Sequence, residues 1–190
     1  MNREQWLTEV AVLAQRLFTG YHLAPYRVTC GWPCRNPLGR RVRTLGECHA
    51  LETSRGGVHE LFISPLMDDP AEVSGVLVHE LTHVAAGMKA AHGKDFVKVA
   101  RHVGLTRGTP KTLAPGEYLA EQLARITEKV GAYPHKAIVP QPRPEGKPTV
   151  ARLECDCGCK ATMSLKHLDR YGPPTCACGQ PMAQAEPEED

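Results

Sequence analysis

The chain has 190 residues, of which 42% are hydrophobic and 23% charged, and its formal net charge is +2. This apolar content is sufficient for a hydrophobic core and excludes wholesale disorder, while a net charge near zero gives no global field that would attract nucleic acid. No stretch reaches the roughly 20 apolar residues that cross a bilayer, and the first residues lack the layout of a signal peptide, so we expect no membrane partner and a cytoplasmic protein with reduced thiols.

The first third of the sequence predicts one helix followed by short strands. Apolar residues recur at helical spacing from Asn2 to Phe18, which predicts an amphipathic helix there. Glycines and prolines then divide the chain into turns and short strands, with Tyr26 to Thr29 and His59 to Ile63 as the strand candidates.

Three more helices are predicted in the middle of the chain. Asp69 is a suitable N-cap and Pro70 fits the first helical position, so a helix is expected from Pro70 to about Ala86. Helical spacing of apolar residues predicts two further helices, from Lys94 to Val103 and from Gly116 to Val130.

A change of composition predicts a second, smaller unit. Residues 1–139 are expected to form the main domain, and the proline-rich segment 140–149 is expected to be a linker. Residues 150–182 contain five of the eight cysteines and form the small unit, and the acidic residues 183–190 are expected to be a disordered tail.

The sequence His79-Glu80-Leu81-Thr82-His83 is an H-E-x-x-H motif well inside the second predicted helix. Residues four apart on a helix lie on one face, so both imidazoles can reach one metal ion. Glu80 leans toward the same side and can accept a proton from a water on the metal instead of binding the metal itself. The motif therefore predicts a catalytic zinc site with Glu80 as the general base.

A catalytic zinc needs a third protein ligand and an open fourth position. His92 is the nearest candidate, because Gly87 and Gly93 would allow the chain to turn back toward the metal. His102 is a weaker rival for this role, since a helix-surface or core position explains it more simply.

The cysteines of the C-terminal segment lie in two turns, Cys155-Asp156-Cys157-Gly158-Cys159 and Cys176-Ala177-Cys178-Gly179. This arrangement predicts a Cys₄ zinc ribbon, in which metal binding supplies the folding energy that so small a unit lacks. We expect the ligands of this structural zinc to be Cys155, Cys157, Cys176 and Cys178. Pairing of Cys157 with Cys159 is the alternative for the first turn.

A further metal site in the first segment is a minor alternative. His49 and its neighbour Cys48, together with Cys30 and Cys34, offer suitable ligand types, but their irregular spacing favours small buried thiols. We therefore predict about two zinc ions per chain, one catalytic and one structural.

In these features the chain resembles the SprT-like zinc metalloproteases. The resemblance rests on the H-E-L-x-H motif, on His92-Gly93 with Phe96 and on the cysteine ribbon, and it covers roughly Leu61 to Val103 and Leu153 to Met182. It implies an α+β fold of the small zincin type, with zinc held by His79, His83 and His92 and with Glu80 as catalytic acid/base. Some members degrade proteins crosslinked to DNA, so protein substrates are the implied partners and DNA is a candidate partner. Small proteins of this layout resemble bacterial or phage ones, which implies the cytoplasm of a bacterial or phage-infected cell.

The leading hypothesis for function is therefore a zinc-dependent endopeptidase. Glu80 would deprotonate the attacking water and hand the proton to the leaving amine. Three residues are candidates for stabilising the oxyanion, namely Tyr118, Tyr133 and His102.

The second hypothesis is a non-catalytic DNA-binding or transcription-associated zinc protein. A basic patch that could meet phosphate is formed by Arg35, Arg40, Arg41 and Arg43. The ribbon segment is nearly charge-balanced, which argues against strong DNA affinity by that element alone. A pure scaffold has no need of a general base, so an intact Glu80 favours the enzyme.

Overall fold

The computed structural model describes residues 1–39, 43–141 and 149–185. The chain divides into two compact units, Met1–Pro140 and Gln141–Asp190, and both combine helices with strands, so the predicted α+β class is confirmed. Most of the predicted linker, the last five residues of the predicted tail, and both Arg40 and Arg41 of the basic patch lie outside the described residues. Within the described ranges, no helix is long and apolar enough to cross a membrane.

The first unit is built from helices around a small sheet. Its helices are α1 (Arg3–Ala14), α2 (Pro70–Ala86), α3 (Lys94–Val103) and α4 (Glu117–Val130). Its strands are β1 (Tyr26–Cys30), β2 (Gly46–His49), β3 (His59–Ile63), β4 (Leu105–Arg107) and β5 (Ala114–Pro115). The first helix is shorter than predicted, because its last turn, Gln15–Phe18, tightens into a 3₁₀ helix.

The main sheet has the strand order β1-β3-β2. Strand β1 runs parallel to β3, with Val28 opposite Leu61, and β2 runs antiparallel to β3, with Glu47 opposite Phe62. Strand β2 therefore forms one edge of the sheet, and because side chains alternate along a strand, Glu47 and His49 share one face while Gly46 and Cys48 share the other.

The motif helix α2 lies at the centre of the first unit. It contacts α1, α3, α4 and the edge strand β2. Asp69 caps it by accepting a hydrogen bond from the backbone N–H of Glu72 at 2.9 Å, and Pro70 occupies its first turn, so the helix starts where the sequence predicts. Because neighbours surround it on several sides, both the apolar residues and the H-E-x-x-H residues of α2 are buried.

The second unit contains a three-stranded sheet in the order β7-β6-β8 and one short helix. Its elements are β6 (Val150–Glu154), β7 (Lys160–Ser164), α5 (Leu165–Tyr171) and β8 (Ala183–Gln184). Ala183 and Gln184 pair with β6, so the predicted tail begins two residues too early and the ordered unit extends beyond Met182. The core is small and consists of Ala151, Leu153, Cys155, Cys176 and Met182.

Candidate metal centres

Helix α2 presents His79 and His83 one turn apart on the same face. Both side chains are 8% exposed, and their ring centroids lie 5.3 Å apart. The four-residue spacing places both imidazoles side by side, as the motif predicts.

The loop after α2 brings His92 to the same place. Gly87 ends the helix with a φ of +80°, and Ala91 has a φ of +44°, so the backbone turns sharply twice before α3 begins. Nε2 of His92 lies 3.3 Å from Nε2 of His79. The ligand atoms of these two histidines and His83 all lie within 4.8 Å of one another, so the three form one group that could hold a metal ion.

The separation of the ring nitrogens fits a tetrahedral metal site. With Zn–N bonds of about 2.0–2.1 Å, two tetrahedral imidazole ligands place their nitrogens about 3.3 Å apart. The distance between His79 and His92 is 3.3 Å. The donor set of three imidazoles also leaves room for a fourth ligand, which is characteristic of catalytic sites.

A backbone carbonyl orients the first histidine. Nδ1 of His79 lies 3.1 Å from the carbonyl oxygen of Leu113, to which it donates its proton, so the lone pair of Nε2 faces the other histidines. Leu113 immediately precedes β5, and Pro115 of that strand packs against α2 at Gly75, where an added Cβ would meet the proline ring at 3.0 Å. The small residue thus allows the strand to approach the helix closely.

Phe96 of α3 supports the three histidines from one side. Its ring centroid lies 5.1 Å from His79, 4.4 Å from His83 and 4.9 Å from His92. Phe96 is fully buried, so its ring restricts the orientation of all three imidazoles.

Burial keeps the histidines uncharged. It lowers the pKa of His79 to about 4 and that of His83 to about 3, and it also lowers the pKa of His92. Neutral imidazole is the form that binds metals, so at neutral pH these side chains do not have to lose a proton before they coordinate.

Glu80, which follows His79 in α2, is a buried acid. Its side chain is 5% exposed, and burial together with the charge of Glu47 raises its pKa to about 8. Its Oε1 lies against Gly46 of β2, where a Cβ would come within 2.5 Å. The carboxyl group is therefore confined between α2 and the edge strand.

The oxyanion candidates and the rival ligand lie elsewhere in the described structure. His102 is exposed and contacts the ring of Tyr21, with centroids 5.0 Å apart. Tyr133 packs against Trp6 of α1, and Tyr118 is 65% exposed. In residues 1–39, 43–141 and 149–185, none of the three makes a hydrogen bond or ring contact with the histidine group, so the oxyanion roles stay predictions.

The second unit brings four cysteines together. The Sγ atoms of Cys155 and Cys178 are 3.4 Å apart, those of Cys157 and Cys176 are 3.5 Å apart, and all four lie within 4.8 Å of one another. Such separations are well beyond a disulfide bond of about 2.05 Å and close to the roughly 3.8 Å between sulfurs on a tetrahedral zinc. Cys159 is exposed and is not part of the group, so the geometry favours the predicted pairing over its alternative.

Two similar turns present these cysteines. In the first, the N–H of Gly158 donates to the carbonyl oxygen of Cys155 at 2.7 Å, and in the second the N–H of Gly179 donates to that of Cys176 at 2.9 Å. Both glycines have positive φ, of +85° and +87°. Glycine is therefore required in both turns to point two thiols in one direction.

The minor alternative metal site in the first unit was predicted with the wrong set of residues. Cys30 is buried, and Cys48 points toward Met88, whose Sδ lies 3.6 Å from its Sγ. The structure instead groups Cys34 and His49 with Glu47.

Several residues that position or influence the histidines and Glu80 have no sequence feature that predicts this role. Leu113 acts through its backbone carbonyl, which any residue provides, and Gly46 acts through the absence of a side chain. Glu47 affects Glu80 only because β2 lies beside α2. The helical period identified Phe96 as a core residue, but contact with all three histidines depends on how α3 packs.

The chain thus contains a three-histidine group, two of whose members are buried, and a separate four-cysteine group, each of which could hold a metal ion; the buried Glu80 follows His79 in the same helix. No family model matches the chain, and neither the curated proteins nor the solved structures gave a match.

Proposed function

We propose that the first unit is a zinc-dependent endopeptidase of the SprT-like, small zincin type, and that the second unit is a zinc ribbon with a structural metal. The observation that carries the proposal is the convergence of His79, His83 and His92, with the buried side chain of Glu80 at the neighbouring position of the same helix. A site with a structural metal alone would need a fourth protein ligand and no buried acid.

The three histidines would hold the metal, and His79 would be kept in the binding tautomer by Leu113. Zinc, when bound there, polarises a carbonyl group and makes water nucleophilic at neutral pH. Three histidine ligands would leave one position for water or a substrate oxygen, whereas the four thiolates of the ribbon would leave none.

Glu80 would move the proton. Burial and the charge of Glu47 favour the protonated form of its carboxyl group near neutral pH, and a cation among three uncharged imidazoles would favour the ionised form. Its carboxylate would then accept a proton from the attacking water and return it to the nitrogen of the departing amine. Gly46 and the body of α2 would hold the carboxyl group in place during both transfers.

The test is the substitution Glu80→Gln in the full-length protein, measured by cleavage of an unfolded protein such as casein and by zinc content. Because general acid–base catalysis contributes about 10²–10⁴-fold, we expect cleavage to fall by at least a factor of about 100 while zinc remains bound. Glu72→Gln is the matched control, since Glu72 lies on the exposed side of the same helix. Undiminished cleavage by the Glu80 variant would reject the assigned role.

Two questions remain to be tested, namely whether the substrates are attached to DNA and whether the protein is a non-catalytic DNA-binding protein. Both are answered by measuring DNA binding and peptide cleavage on the same protein. The alternative uses the arginines near Gly39 and the ribbon, but it leaves the buried Glu80 without a role. DNA binding that weakens with salt, in a protein that cleaves nothing with its zinc bound, would favour the alternative. Cleavage that DNA stimulates would identify DNA as a partner of the enzyme.

A further inference from the structure

A third group of ligand-type side chains lies on the face of the main sheet opposite α2. Cys34 belongs to the loop after β1, and Glu47 and His49 belong to β2. Their ligand atoms all lie within 4.8 Å of one another. Glu47 and His49 are two positions apart on a strand, so their side chains point to the same side, away from Gly46 and Cys48.

The distances within this group approach those of a tetrahedral metal site. Sγ of Cys34 lies 3.9 Å from Nε2 of His49, and this nitrogen lies 3.6 Å from Oε2 of Glu47. Ordinary zinc bond lengths place a sulfur and a nitrogen about 3.5 Å apart, and a nitrogen and an oxygen about 3.3 Å apart. The two pairs that include His49 are therefore within a few tenths of an ångström of coordination distances, and the third pair lies within 4.8 Å.

Neighbouring contacts hold these side chains in position. The backbone N–H of Cys34 donates a hydrogen bond to Oε2 of Glu47 at 2.5 Å, which fixes the loop beside the strand. The ring of His49 meets the ring of Phe62 edge-on, with centroids 5.4 Å apart. The side chains of Glu47 and His49 are only 16% and 29% exposed, whereas Cys34 is exposed, so a cation can enter from the side of the thiol.

We propose that Cys34, Glu47 and His49 form a third metal site, which binds a borderline-soft divalent cation such as zinc and leaves one coordination position open to solvent. Thiolate, imidazole and carboxylate are the three donor types that zinc accepts, whereas magnesium and calcium avoid sulfur. Binding would tie the loop after β1 to the edge strand of the sheet. This site shares no residue with the histidine group or the ribbon, so it does not depend on peptidase activity.

The first test measures the alkylation of each cysteine in the full-length protein, with and without added zinc, by mass spectrometry of its peptides. Because a metal-bound thiolate is a poor nucleophile, we expect zinc to slow alkylation of Cys34 by a factor of about 10 or more. Cys159 is the internal control, since it is exposed and outside all three groups. Protection of Cys34 should disappear in His49→Gln and persist in His22→Gln, which changes an exposed histidine of the same unit.

The second test counts zinc bound at equilibrium over a range of buffered free zinc. We expect the wild-type protein to reach about three ions per chain, and Cys34→Ser and His49→Gln to reach about two. Saturation of the wild type at two ions, or equal alkylation of Cys34 with and without saturating zinc, overturns the proposal. A third ion that persists in both variants overturns it as well, because that ion would be bound elsewhere.

Discussion

Gly46 lies against the carboxyl group of Glu80, and a Cβ built on it would come within 2.5 Å of Oε1 and 2.6 Å of Cγ1 of Val76. Both contacts are far shorter than any that real Cβ atoms make, so a larger residue on this edge strand must displace the neighbouring helix or the carboxyl group. Gly46 is thus a positioning residue for the proposed general base.

The substitution Gly46→Ala should therefore impair cleavage without removing zinc. A misplacement of about 1 Å at a catalytic group can cost about 100-fold, so we expect kcat/KM to fall about 10- to 100-fold with unchanged zinc content. Gly56→Ala is the control, because an added Cβ there meets its nearest neighbour, Oγ of Ser54, at an ordinary 3.5 Å. Full activity of the Gly46 variant would show that Glu80 does not need this confinement.

Phe96 provides a second test of how the site is held. Replacing it by leucine removes the ring that contacts all three histidines, while a large apolar side chain remains in the core. Changes to groups that orient metal ligands typically weaken binding 10- to 100-fold, so we expect Phe96→Leu to lower zinc affinity about 10-fold.

The control for Phe96 must separate metal affinity from stability. Val99→Ala changes another buried residue of α3 and should cost a comparable roughly 1–2 kcal/mol of unfolding free energy with little effect on zinc affinity. Both quantities are measured on the full-length protein, by competition with a zinc chelator and by urea unfolding. If both variants weaken zinc binding equally, the effect comes from loss of stability and Phe96 has no specific role.

The ribbon gives a third prediction, which separates Cys178 from Cys159. Both are exposed cysteines of the second unit, but only Cys178 belongs to the four-cysteine group. Cys178→Ser should lower zinc content by about one ion per chain and make the second unit sensitive to proteases, because two of the few core residues, Cys155 and Cys176, are themselves candidate ligands. Cys159→Ser should change neither quantity. Loss of zinc in both variants would instead favour the alternative pairing of Cys157 with Cys159, in which Cys178 remains a ligand.

The sequence predicted those parts of the structure that depend on local signals. Helix α2 begins and ends where its cap, its proline and Gly87 indicate, and the spacing within the motif identified the two histidines that lie on one face. His92 was predicted from two flanking glycines, and the structure brings it to the same group.

Features that depend on pairing between distant segments could not be predicted. Strand β2 lacks a strong apolar alternation, and it forms because β3 provides a partner for its backbone. The approach of Gly46 to Glu80 and the grouping of Cys34 with Glu47 and His49 both follow from that pairing. The carbonyl of Leu113 reaches His79 only because β5 packs against α2.

The buried acid and imidazoles also predict how the stability of the metal-free first unit depends on pH. In the folded state the pKa values of His79 and His83 lie below the ordinary 6.5, so the unfolded chain binds more protons as the pH falls below 6.5 and stability is lost. The pKa of Glu80 is raised from 4.5 to about 8, so the folded state keeps a proton that the unfolded chain releases, and stability is lost as the pH rises from 4.5 to 8.

Together these groups place the stability maximum of the metal-free unit near pH 6.5. Each contributes about 1.4 kcal/mol per pH unit within its range, so the two histidines outweigh Glu80 below pH 6.5, and Glu80 alone acts between pH 6.5 and 8. The free energy of unfolding is measured at each pH by urea unfolding of the chelator-treated full-length protein. Tryptophan fluorescence reports on the first unit, because Trp6 and Trp32 both belong to it. Glu80→Gln should remove the decline above pH 6.5 and steepen the rise of stability with pH between 4.5 and 6.5, where Glu80 no longer opposes the histidines. If the variant and the wild type decline alike up to pH 8, Glu80 is ionised in the metal-free fold and its burial does not control its protonation.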